Sequence, residues 1–550
     1  MRIKISIAAG LATVGAVMLA ASAFAGSSGT AASTSGVAAK GGTLRVAVAA
    51  TDFEYVDPGL SYDTLGWSML YNTQSLLLNY PPKSGAAGGK LFPDAATAFP
   101  VVSKDGKTYT FTIRSGWKFS DGSPINAASF KRAFERNLSP KMKQGSPNGV
   151  NTGIDQLIVG ATAYLEGKSQ SLTGVVANGN KLTVRLTKAS PLFLSLVAMQ
   201  WYGAIKASTP FTDKGLDTYP GSGAYFIKAR DIGKSLLLER NPNYKGTIPS
   251  NPDRILFNTN LTEEATLLET QKGNQDIARG VPTTAHAQLG EQFGVNKGRY
   301  FVAPENCVLY WVMNTTRAPF NNVAARKAVN WAIDRPALVR IAGKFAGKRT
   351  TQILVPTIPG YKKYGLYSVQ GANVAKAKSV GGNAITGKVE IFHSTSQAVT
   401  QAAQVLAFNL KQAGFDVGFK PTPGAVYYKT LGTRGVDMDI ARAGWCADYL
   451  DAQNFINVLL DGRTIQESNN VNHAYFNNAS VNRKMDAANA LSGDARAAAY
   501  SKLDLEIMRD FAPWAPYMVI NNRVFVSART KNVILSQYFS EPVYGAATVG

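Results

Sequence analysis

The side chains able to do covalent or metal chemistry are few and scattered. The sequence has no Gly-x-Ser-x-Gly elbow, no His-Glu-x-x-His and no Cys-x-x-Cys. Gly343-Lys344-Phe345-Ala346-Gly347-Lys348-Arg349 approaches a phosphate-binding loop. Its spacing is too short, however, and Arg349 stands where Ser or Thr must meet Mg²⁺. Ser115 and Lys118 form a Ser-x-x-Lys in a strand-and-turn setting, a pattern frequent by chance. His286, His393 and His473 lie far apart in sequence, and a lone histidine usually makes a structural hydrogen bond rather than moving a proton. Cys307 and Cys446 are the only cysteines, which rules out a cysteine-based zinc or iron–sulfur site. The weight shifts from catalysis to binding. The densest run of usable groups is Asp439-Ile440-Ala441-Arg442-Ala443-Gly444-Trp445-Cys446-Ala447-Asp448-Tyr449.

The elements that must position this run are legible in the patterning. Leu44-Arg45-Val46-Ala47-Val48, Tyr109 to Arg114 and Leu182 to Leu186 alternate as strands. Asp105-Gly106, Asp121-Gly122 and Asn178-Gly179 supply turns. Ala224 to Ile227 pairs with Leu236-Leu237-Leu238, and Val308 to Met313 is a further strand. Asn126 caps a helix that carries Phe130, Ala133 and Phe134 on one face. Val323 to Ile333 has helical spacing with Ala324, Ala328 and Trp331 together, and Ser396 to Ala413 is a helix closed by Gly414. Trp201, Trp311, Trp331 and Trp514 are assigned to core or hinge packing. Helices and strands interleave without a fixed-period repeat, so the class is mixed α/β. A chain of 550 residues corresponds to roughly three to four domain-sized units. Its 45% hydrophobic and 17% charged content excludes a mainly disordered or coiled-coil protein.

Arg2 and Lys4, the apolar stretch Ile5 to Ala21 and Ala23-Phe24-Ala25 make residues 1–25 a signal peptide, with an uncleaved anchor as the other reading. No cysteine lies nearby, which excludes a lipid anchor. Residues 26–40 form a flexible polar leader. The formal charge is +22, of which Arg2 and Lys4 leave with the signal peptide. Such an excess suggests nucleic acid or an anionic envelope surface, but the lysines and arginines are scattered and form no dense run. Solubility is the plainer account.

The run Ala441 to Tyr449 resembles the bacterial oligopeptide-binding proteins, the peptide/nickel class (family 5) of extracellular solute-binding proteins that serve ABC importers. Similar motifs follow in order: Gly42-Thr43-Leu44-Arg45, Asp57-Pro58, Tyr109 to Arg114 with Phe119-Ser120-Asp121-Gly122-Ser123-Pro124, Gly223-Ala224-Tyr225, Glu239 to Tyr244, Met313-Asn314-Thr315 and Pro319 to Val323. The resemblance implies a two-lobed, type II periplasmic-binding-protein-like α/β fold with an extra subdomain and hinge crossovers. Lobe I would comprise 41–65, 174–306 and 519–550, the extra subdomain 66–173, and lobe II 307–518, with crossings near 306 and 518.

The same resemblance assigns roles. Asp448 would meet a peptide's α-ammonium, and Arg442 its carboxylate. Gly444, Trp445 and Cys446 would offer an extended edge to the peptide main chain, and Asp52 is a further ligand-facing acid. Cys307 and Cys446 would form a disulfide, as an exported chain with one cysteine pair favours, the alternative being two buried thiols. No catalytic residue, metal or cofactor is implied. The expected partners are an oligopeptide and the permease and ATPase subunits at the inner membrane, not nucleic acid, with the chain a periplasmic monomer. Rival readings keep the class but change the ligand to a nickel chelate, haem, oligosaccharide or opine, or make the chain an exported peptide hydrolase.

Overall fold

Leu44, Val46 and Val48 are fully buried along the strand Thr43–Val48, which lies parallel to both Ile277–Arg279 and Arg254–Asn258. A strand with parallel neighbours on both sides sits deep in a sheet, which explains its apolar end. The computed structural model describes residues 40–142 and 152–550. The expected signal peptide and nearly all of the leader lie outside the described residues.

Among the described residues the main sheet has eleven strands. One flank runs Asp416–Thr422, Lys388–Ser394 and Ile440–Cys446; the other runs Ile277–Arg279, Thr43–Val48, Arg254–Asn258, Ser235–Arg240 and Tyr225–Asp231. Two long antiparallel strands, Tyr300–Met313 and Trp514–Val526, join the flanks, and both expected crossing points fall inside them. The register between them shifts between Pro304 and Val308 and again between Leu309 and Tyr310. Such irregularities let one strand pair serve two differently twisted halves. In the expected partition these halves are the two lobes. Helices Val323–Ala332 and Gln397–Ala413 cover the second, with Gly414 in the left-handed conformation ending the longer one. Among the described residues no helix is long and apolar enough to cross a membrane.

The face buried by Val323–Ala332 differs from the expected one. Ala325, Ala328, Val329 and Ala332 are buried, while Ala324 and Trp331 are only half-buried. The small residues let the helix approach the sheet closely, and Trp331 instead packs its ring edge-on against Tyr367 at 5.4 Å. Trp201, Trp311 and Trp514 are core residues, as expected.

A smaller sheet orders Val101–Val102, Thr108–Thr112, Lys181–Arg185 and Val175–Asn178, against which the helix Ala127–Asn137 packs. Asn126 caps that helix in a capping box with Ser129, and Phe130 and Phe134 are buried. The expected subdomain limits 66–173 therefore need correction. The upper limit separates strands Val175–Asn178 and Lys181–Arg185 from the sheet they complete. The lower limit cuts the helix Thr64–Thr73.

One ion pair ties this insertion to the chain's opening. Arg136 grips Asp57 through two hydrogen bonds of 2.8 and 2.7 Å, and both side chains are buried. Asp57 also accepts the Gly59 and Leu216 amides, and Arg136 donates to the Pro210 carbonyl. Removing one partner of a buried pair strands the other charge. Asp57→Ala should lower the unfolding free energy by about 3–5 kcal/mol, read from the urea midpoint.

Candidate functional site

Ile440–Cys446 pairs along its whole length with Tyr300–Met313, from Met313 opposite Ile440 to Cys307 opposite Cys446. On its other side Lys388–Ser394 pairs only with Ile440 and Ala441. The strand therefore has a free edge from Arg442 onward. The Ala447 amide donates to the Asn306 carbonyl, which makes that pair hydrogen-bonded. In an antiparallel ladder the bonded pairs alternate, so Arg442, Gly444 and Cys446 turn their N–H and C=O to the free edge. The Arg442 carbonyl confirms the direction, since it accepts the Tyr427 hydroxyl at 2.6 Å from that side. Gly444 and Cys446 are left with main-chain groups facing outward.

This edge opens on a cavity of about 900 Å³. Gly444, Trp445, Cys446, Ala447 and Asp448 line it, as do Glu305 and Cys307 from the neighbouring strand. Further lining comes from the segments around Tyr62, Tyr428, His473 and Tyr538. Cys307 and Cys446 are joined in a disulfide whose Cα atoms are 4.0 Å apart, as suits a non-hydrogen-bonded pair. Glu305 and the two sulfurs lie close together, but bonded sulfurs offer no thiolate to a metal. A Cβ on Gly444 would come within 2.7 Å of the Leu309 side chain. The glycine thus makes room for Leu309 as well as lining the cavity.

Asp448 is buried at the cavity wall. Its Oδ1 accepts the Tyr62 hydroxyl and its Oδ2 the Asn454 amide, both at 3.0 Å. Asn454 also accepts the Asp448 N–H and the Trp445 indole N–H, and so fixes both side chains. The Tyr538 hydroxyl donates to the Asp448 carbonyl. Tyr62, Trp67 and Tyr538 form an aromatic floor with the core residue Trp201 packed against Tyr62 and Trp67, at ring-centroid distances of 5.1–6.2 Å. In these surroundings burial pushes the Asp448 carboxyl up to about 6, against the lowering effect of its two hydrogen bonds. Asp448 makes no ion pair among the described residues. A cation entering the cavity would meet a carboxylate held in position and lacking a counter-charge.

Arg442 does not line the cavity. It shares a strand face with Gly444 but lies one pleat repeat, about 7 Å, further along. Its guanidinium stands among Tyr427, Tyr428 and Tyr517, forms no ion pair among the described residues, and keeps a buried Nε without a partner. The basic residue in the lining is Lys429, on the helix Gly424–Leu431. Asp52 is also outside the lining. Its carboxylate accepts from Arg230, from the Gly233 amide and from its own neighbour Phe53. These bonds make it a loop-fastening group and not a ligand-facing acid.

Sequence reasoning missed Tyr62, Glu305, Lys429, Asn454, Tyr538 and Glu541. Glu305 alone had a nearby signal, two residues before Cys307. Of the histidines, His473 reaches the cavity, where burial holds it neutral with a value lowered to about 4.

The family model for bacterial extracellular solute-binding proteins, family 5 Middle, matches residues 90–467. The chain is 29% identical over 444 residues to the oligopeptide-binding protein of Bacillus subtilis, a match that covers 76% of this chain and 77% of that one. It is 26% identical over 485 residues to heme-binding protein A of Haemophilus influenzae, covering 82% and 83% of the two chains. Among solved structures it is similar to clavulanic acid biosynthesis oligopeptide binding protein 2, with a TM-score of 0.86, 23% identity and coverage of 93% and 96%.

Proposed function

The chain belongs to the family 5 bacterial extracellular solute-binding proteins, and from that premise we infer that it captures short peptides between its lobes and hands them to an ABC permease. One observation carries the reading: the free edge at Gly444 and Cys446 ends beside Asp448, a buried carboxylate without a counter-charge. An unpaired edge binds any peptide main chain by strand addition, and the carboxylate fixes where that main chain begins. Lys429, the basic residue of the lining, is the cation for the far end of the ligand. Trp445 and the aromatic floor supply apolar contact without selecting one side chain.

The lobe partition is 41–63, 186–306 and 519–550 against 307–518, with the insertion, 64–185, taking in the helix Thr64–Thr73 and strands Val175–Asn178 and Lys181–Arg185. The protein acts outside the inner membrane after export by its signal peptide, as a monomer. It binds and releases its ligand unchanged, and the transporter's ATPases supply the energy.

The test is calorimetry with tri- to pentapeptides, free and N-acetylated. Free peptides should bind at least a hundredfold more tightly, because acetylation removes the charge that Asp448 needs. Equal affinities would refute the anchor.

A further inference from the structure

The cavity has the opposite charge to the molecule around it. A chain with 58 basic and 36 acidic side chains has every means of pairing its carboxylates. Yet Glu54, Asp63, Glu305, Asp448 and Glu541 line the cavity, against Lys429 as the lining base. Of these five acids only Glu541 forms an ion pair among the described residues, with Arg279 at 2.8 Å. That pair uses one oxygen. The other, Glu541 Oε2, is buried without a hydrogen-bond partner on a side chain only 10% exposed. Asp63 repeats the pattern, with Oδ1 capping the helix Thr64–Thr73 and Oδ2 buried and unpartnered.

Glu305 adds a position. It lies on the crossing strand two residues before Cys307 and lines the same cavity. Burial first, and the Glu541 carboxylate second, push the Glu305 carboxyl up to about 7, against Arg279 and Arg523. Both arginines have other work: Arg279 holds Glu541 and Thr64, and Arg523 donates to the Ala342 and Lys344 carbonyls. His473 is neutral, and Arg442 stands outside the lining. Unsatisfied acceptors and uncompensated carboxylates together call for a ligand rich in cationic N–H donors.

We propose that the cavity selects peptides carrying a lysine or arginine side chain near a free N-terminus, with the α-ammonium at Asp448 and the side-chain cation at the Glu305–Glu541 wall. The proposal rests on the peptide reading and adds the charge class of the ligand. Asp448 serves the first charge of any peptide; the second acidic group selects for another. Glu541 Oε2 and Asp63 Oδ2 are the acceptors that the second charge satisfies.

The test is calorimetry at pH 7.5 with Lys-Ala-Ala and Ala-Lys-Ala against the same peptides carrying norleucine, which keeps the side chain's length and removes its charge. The lysine peptides should bind at least tenfold more tightly, and the preference should shrink to within threefold in Glu305→Gln. Glu541→Gln is the second variant and should erode the preference in the same direction. Should either variant fail to fold, raising NaCl from 50 to 500 mM on the native protein should reduce the preference several-fold. Lysine and norleucine peptides that bind within threefold of one another overturn the proposal, as does a tenfold preference that survives Glu305→Gln. N-acetylated and free Ala-Ala-Ala report separately on Asp448. A protein that needs the free amine but ignores lysine keeps the peptide reading and loses this one, and a protein that binds none of these peptides loses both.

Discussion

Asp448→Asn is expected to weaken peptide binding by about a hundred- to several-thousandfold. Breaking a buried, hydrogen-bonded charge pair costs about 3–5 kcal/mol, and each 1.4 kcal/mol is tenfold in affinity. Asparagine keeps the shape of the group and can still bond to Tyr62 and Asn454, so the loss reports on charge and not on a collapsed wall. Stability should move the other way. The folded carboxyl is raised to about 6 by burial, above its value in the unfolded chain, so the fold binds the proton more tightly. Above pH 6 the ionised group is a cost to the fold that asparagine removes, and the urea midpoint of the ligand-free variant at pH 7.5 should equal or exceed the native one. The same value sets a pH dependence. Peptide affinity of the native protein should fall as pH drops from 7.5 through about 6 to 5, and this step should be absent from the variant's profile.

Replacing Cys307 and Cys446 together by serine should lower the unfolding free energy by about 2–5 kcal/mol, read by urea denaturation against the oxidised native protein. The bridge closes a loop with a sequence separation of 139, for which loop-closure entropy gives close to 5 kcal/mol as an upper figure. The bond does more than shorten the unfolded chain. It joins the strand that crosses between the lobes to the strand that lines the cavity, at the last rung before Asp448. Its loss should therefore also weaken peptide binding, because Gly444 and Cys446 would no longer be held at a fixed distance from Glu305. A variant that unfolds at the native urea concentration would show the bridge to be without mechanical weight.

Local patterning carried much of the fold. Leu44-Arg45-Val46 and Leu182-Thr183-Val184 alternate because one face is buried, and Asn126 and Gly414 mark helix ends by chemistry that acts within a few residues. The strand Tyr300–Met313 was legible only from Val308, since Pro304 and Glu305 interrupt the apolar run where the register shifts. The buried face of Val323–Ala332 was misjudged because Trp331 is large yet packs at the edge, while alanines carry the close contact. Of the site, the run 439–449 was visible as a unit, while the disulfide and the proposed role of Asp448 came from the family resemblance. Arg442 and Asp52 were placed at the ligand but lie outside the lining, one a pleat repeat too far and the other held by Arg230. Glu541 and Tyr538 come from a segment about ninety positions beyond Asp448 and could be joined to it only by tertiary structure.

The cavity wall is a mosaic of short stretches that are distant in the chain, each giving a few side chains. The stretch proposed to grip a main chain, Gly444 to Asp448, is separate from those that bring Glu305 and Glu541. A change of cargo therefore requires no change of grip: exchanging two or three side chains on one stretch alters what is admitted, while the strand edge, the disulfide and the lobes stay as they are. In this chain the separable part is an acidic wall inside a basic shell.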